Sequence, residues 1–146
     1  MSSSASLPKG IEHYRAPDGS WLALVVRSQF SEPGIQFFTP GDFSQQFGYM
    51  KHPPGHRVVP HTHNEVPRSV LRTQEVLFVS SGSCRVDLYT DDQDFVESLT
   101  LTTGDWILLA GGGHGLECLD ECALYEIKQG PFVGDADKTR FDGARP

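Results

Sequence analysis

Two histidines one residue apart, His61 and His63, are followed downstream by Glu75 and then by His114, which stands behind three glycines. On an extended strand alternate side chains share a face, so a His-x-His pair presents both imidazoles on one side. Two neutral imidazoles so placed suit a divalent transition metal. On a polar loop the same pair is an ordinary surface feature. Glu75 carries more information. In QEVLFVSSG it shares a strand face with Leu77 and Val79, where a carboxylate is costly unless it is paired or bound to a cation. The bland alternative is a glutamate at a strand entry that still reaches water. If His114 begins a strand running to Cys118, it shares a face with Leu116 and Cys118; otherwise it is an exposed loop tip.

Other side chains are candidates for holding a ligand rather than a metal. Arg68 and Arg72 lie between His63 and Glu75, where they could reach over a cavity mouth and grip an anion with bidentate hydrogen bonds. A solvated loop is the simpler reading of both. Tyr49, Lys51, Tyr125 and Lys128 fall on expected strands and are candidate cavity-lining residues. His52 and His56 flank Pro53-Pro54-Gly55 on a turn, and His13 lies in an N-terminal arm, so none of the three reads as a ligand. Cys84, Cys118 and Cys122 include no Cys-x-x-Cys pair and read as reduced packing residues; a Cys118–Cys122 disulfide across a tight hairpin is the lesser alternative.

The elements that must position these groups are strands. Glycine (15) and proline (10) recur between short apolar segments, and no segment carries a long 3.6-residue period with caps at both ends. Strands are expected over 21–30, 35–39, 46–52, 57–63, 75–80, 84–90, 95–102, 106–110, 116–119 and 123–128, with Pro60 marking the fourth as irregular or at an edge. Short strands with turns between them indicate an all-β sandwich or closed barrel.

Length and charge narrow the partners. The 146 residues suit a single domain with a real core, and a net charge of -7 opposes general binding to nucleic acid or acidic membranes. No apolar run approaches the ~20 residues of a membrane span. MSSSASLPKG has no hydrophobic signal core, so the expectation is a cytoplasmic protein with a mobile tail over residues 1–10. Residues 129–146 are expected to wrap the surface or a partner.

The order of these residues resembles the cupin family. Gly55, His61, His63, Glu75 and Gly82 are similar to its first motif, and Gly104-Asp105, the apolar run 106–109, the glycine loop and His114 are similar to its second. Residues 64–74 form a longer spacer than is usual, read as a surface loop inserted over 64–73. Ala110 stands where the family usually has proline. The likeness implies a double-stranded β-helix (a jelly-roll-like barrel) with its core over 41–128 and N-terminal strands over 11–40. It also implies His61, His63, Glu75 and His114 converging on iron, manganese, nickel, zinc or copper. A metal-dependent enzyme of oxygenase or isomerase type acting on a small polar metabolite is the first expectation, and a non-catalytic binder of a sugar or organic acid the second. It further implies a homodimer paired through an edge or exchanged strand, for which the apolar segment 21–30 is the candidate.

Overall fold

In the computed structural model, which describes residues 7–145, the chain is all-β and every strand pairing is antiparallel. Ten strands form: β1 Ile11–Arg15, β2 Trp21–Val26, β3 Gly34–Phe37, β4 Gly48–Lys51, β5 Glu75–Ser81, β6 Ser83–Tyr89, β7 Phe95–Thr102, β8 Trp106–Leu109, β9 Gly113–Cys118 and β10 Ala123–Lys128. A five-stranded sheet has the order β1-β2-β8-β5-β10, and a three-stranded sheet the order β7-β6-β9. The hairpin β3–β4 stands as a separate ribbon. Among the described residues one 3-10 turn forms, Gly134–Asp137, after β10. Among the described residues no helix is long and apolar enough to cross a membrane.

The strand sequences explain this layering. In β2, β8 and β5 the apolar residues do not alternate with polar ones, because both faces of the five-stranded sheet are covered. Ala23, Val25, Ile107, Leu109 and Val79 face the smaller sheet and meet Cys84, Val86, Leu88, Leu99 and Leu101. Leu24, Val26, Leu108 and Val76 face the other way, with Phe30 and Phe38, Phe43, Phe47 and Tyr49 packed on them. The β3–β4 ribbon thus serves as a lid of aromatic rings on the back of the larger sheet.

Asp105 joins the layers. Its Oδ1 accepts the Ser28 N–H at 2.9 Å, and its Oδ2 accepts the Thr102 N–H and an Arg27 N–H, both at 3.0 Å. Its carbonyl accepts the Val79 N–H. One buried residue therefore binds the ends of β2 and β7, the start of β8 and the middle of β5. Arg27 also pairs with Glu12 at 2.7 Å and donates to the Thr100 carbonyl, so β1 is tied in as well.

Three expectations need correction. Residues 57–63 form no strand: Pro60 has no N–H to give, and across 53–73 backbone bonding amounts to one turn, His56 N–H to the Pro53 carbonyl. The segment 21–30 offers no edge for a partner, since β2 lies between β1 and β8 and is almost wholly buried. It ends at Val26, where Asp105 captures the backbone of Ser28. The edge strand on that side of the sheet is β1, which the sequence reading passed over. Residues 1–6 of the expected tail lie outside the described residues, while Pro8 already accepts a hydrogen bond from Ile11.

Replacing Arg27 with methionine leaves the buried Asp105 carboxylate without its counter-charge. The expected loss is about 3 kcal/mol of unfolding free energy, read from urea denaturation. A loss below about 1 kcal/mol would mean that the backbone donors alone hold Asp105.

Candidate functional site

A cavity of about 850 Å³ opens at the end of the sandwich where β5 begins and β9 begins. Glu75 and His114 face each other there, Glu75 Oε2 lying 3.2 Å from His114 Nε2. The strand pattern accounts for both. Glu75 occupies the inward face of β5 with Leu77 and Val79, as expected from the sequence, and its backbone is fixed between Leu109 of β8 and Lys128 of β10. His114 is paired with Leu88, whose side chain lies in the core between the sheets, so cross-strand partners point the same way and His114 is aimed inward.

The glycines before His114 are a steric requirement. Gly112 has φ +64°, and a Cβ there would lie 2.2 Å from the Tyr89 carbonyl and 2.5 Å from Leu22 Cδ2. A Cβ on Gly113 would press on the Phe141 ring at 2.9 Å. The loop delivers His114 to the cavity by passing where no side chain fits.

Electrostatics around Glu75 favour its charge. The adjacent His114 holds the carboxyl below the usual carboxylate range against the opposing effect of burial, and Lys128 and Lys138 add to it. Lys128 Nζ lies 3.7 Å from Glu75 and 3.5 Å from Asp137. The cavity thus brings the buried Glu75 and Asp87 carboxylates and the His114 imidazole together with Asp137 and the cations Arg72, Lys138, Arg140 and Arg145.

His61 and His63 do not line this cavity. They sit on the exposed segment 53–73 with ring centroids 5.2 Å apart, and His61 Nδ1 lies 2.8 Å from the Val59 carbonyl. The four expected ligands therefore fall into two pairs, Glu75 with His114 and His61 with His63. Among the described residues no cluster of three or more His, Cys, Asp or Glu side chains is assembled in a metal-holding arrangement.

The ligand-binding candidates divide likewise. Arg72 reaches the cavity and forms a two-pronged pair with Asp91 at 2.8 and 3.0 Å, standing also at the edge of a second cavity of about 420 Å³. Arg68 is exposed. Tyr49 packs edge-on against Phe30, and Lys51 donates to the Ser31 hydroxyl, so both belong to the aromatic ribbon on the opposite face. Lys128 enters the site, whereas Tyr125 stacks outward on Phe78.

Sequence reasoning missed the C-terminal strap. Phe141 packs edge-on against Tyr89, and Arg145 pairs with the buried Asp87 at 2.8 Å and with Glu117 at 3.1 Å. Lys138, Arg140 and Phe141 become cavity walls. The polar composition of residues 129–145 gave their surface course but not their destination. Only the buried partner Asp87, on β6, determines it.

The cysteines differ from one another. Cys84 is buried and is the cross-strand partner of Cys118, which is exposed, while Cys122 is half-buried. Burial pushes the Cys84 thiol up to about 12. Comparison with protein-family models, with curated proteins and with solved structures found no match.

At pH 8 a water-soluble disulfide reagent is expected to label Cys118 rapidly and to leave Cys84 protected until the protein unfolds. Mass spectrometry of the labelled protein checks this. Gly112→Ala is expected to destabilise the fold by more than about 1 kcal/mol in a denaturant titration, because its φ and its neighbours both oppose a Cβ.

Proposed function

We propose that this chain is a cupin-type metal-dependent enzyme, of oxygenase or isomerase type, acting on a small anionic metabolite. The observation that carries the reading is the Glu75–His114 pair: a buried carboxylate and an imidazole 3.2 Å apart in a cavity of metabolite size. Carboxylate and imidazole oxygen and nitrogen donors suit iron, manganese, nickel, zinc and copper alike. In this reading Glu75 and His114 hold the metal from the sandwich, and His61 and His63 supply the remaining protein donors from the segment 53–73. The fit to this chain is good for the first pair. For the second it requires that segment to move to the cavity. When bound, such an ion supplies Lewis acidity or redox chemistry at its open positions.

The residues of the cavity wall support an anionic substrate class. Four cations, Arg72, Lys138, Arg140 and Arg145, face three carboxylates, Glu75, Asp87 and Asp137, in the lining, and this reading takes a carboxylate or phosphate group as the substrate's anchor in preference to a neutral sugar. The strap residue Phe141 and the Leu109 and Leu116 side chains supply the apolar part of the wall. The double-stranded β-helix reading belongs to the same proposal. It is supported by the two packed antiparallel sheets, and it needs one more strand beside β9 to close.

Elemental analysis of protein purified without added metal tests the reading. The expected result is near-stoichiometric transition metal in the wild type, falling at least tenfold in His61→Ala/His63→Ala, a loss typical of removing ligands from a site. Sub-stoichiometric metal unchanged by that substitution would sink it. With metal established, dioxygen uptake across a panel of small organic acids separates an oxygenase from an isomerase.

A further inference from the structure

The sandwich is open along one flank. β9 is the outer strand of the three-stranded sheet and β10 the outer strand of the five-stranded one, and the turn 119–122 joins them, so both unpaired edges lie on the same side. Leu116 shares the inward face of β9 with His114 yet is 41% exposed, and Glu126 shares the inward face of β10 with Leu124 and Lys128 yet is exposed. These are interior positions without a cover. Open edges with apolar inward positions are surfaces that another strand pairs with readily.

The same chain carries a segment suited to that place. Residues 53–73 are too long for an ordinary structureless connection, and they expose Val58, Val59 (78%), Val66 and Leu71 (99%) to solvent. The seven residues Arg57–His63 are long enough to cover the six-residue edges, and the single missing N–H of Pro60 is tolerated on an outermost strand. Charge is complementary. Arg57 and Arg68 have no ion pair among the described residues, and neither have Glu121 and Glu126 on the open flank. The rest of the segment carries Arg72 and three histidines, His56, His61 and His63, against Glu65 as its one acid.

We infer that Arg57–His63 of one copy adds as a strand to the β9 edge of a second copy, reciprocally, and that each cavity is completed by His61 and His63 from the other chain. The folded single chain leaves its own flank and its own segment apart, each still uncovered. A two-fold pair satisfies both at once, because each copy offers the same edge and the same strand. Placed beside β9, alternate residues of the added strand share the inward face of His114, which brings His61 and His63 to one side together. Their role as metal ligands rests on the reading proposed above; the strand exchange does not.

Two measurements test the exchange and the site separately. A benzophenone amino acid replacing Val59, in chain of natural isotope content mixed with 15N-labelled wild type, is expected to cross-link on illumination to residues 113–128 of the labelled chain. Cross-links confined to the chain's own flank, or a monomeric mass by light scattering at high concentration, overturn the exchange. For the site, His61→Ala/His63→Ala is mixed with Glu75→Gln/His114→Ala and exchanged to equilibrium, and bound manganese(II) is measured by electron paramagnetic resonance. Neither variant alone binds, and the mixture recovers about a quarter of the wild-type metal, as random pairing of two-site dimers requires. No recovery means that each site is built within one chain and overturns the shared site. An interchain cross-link with no metal in the wild type upholds the exchange and removes the metal reading.

Discussion

Asp105 is the residue on which the sandwich depends. Its carboxylate and backbone take hydrogen bonds from the ends of β2 and β7 and from β5, and those strands belong to both sheets. A buried carboxylate is tolerated only where its charge is matched, and Arg27 supplies the match while holding β1 through Glu12. Because β8 starts immediately after Asp105 and runs between β2 and β5, this latch also sets the register that places Glu75 opposite Leu109. The position of the cavity carboxylate is thus decided at the far end of its neighbouring strand.

The cavity is built by contrast from one firm wall and one borrowed wall. The firm wall is β5 and β9, whose inward faces are determined by pairing with buried strands. The borrowed wall is the strap of residues 129–145, held by the contacts of Phe141 and Arg145 on the outer face of the small sheet. Lys128, Lys138 and Asp137 form a charged seam where the two meet. That seam lies directly beside the buried Glu75 carboxylate.

What was legible in the sequence followed from alternation. Glu75 with Leu77 and Val79, and His114 with Leu116 and Cys118, were placed on common faces from spacing two residues apart, and the structure gives those faces. The strands from Glu75 onward were also legible because glycines and acidic turns separate them. Arg57–His63 was misread, since its apolar and histidine pattern is that of a strand while its backbone has no partner in the folded chain. Tyr49 and Lys51 were misplaced for a different reason. Nothing local says which side of a sheet a ribbon covers; that is settled by Phe30, Phe38 and Trp106 meeting at a distance. The role of Asp105 was hidden in what read as a simple turn, because its partners lie far away in the chain.

The glycine loop before His114 bears on how variation in this protein should be interpreted. Every missense change at Gly111 or Gly112 adds at least a Cβ, and at both positions that atom collides with a backbone carbonyl, of Trp21 or of Tyr89. These codons will therefore resist drift as firmly as codons for residues that touch a substrate, although glycine has no functional group to offer. Should relatives of this chain come to be aligned, invariance there would record the width of a passage rather than a chemical role. The informative columns would be Glu75 and His114, whose side chains carry the ionisable groups that meet in the cavity.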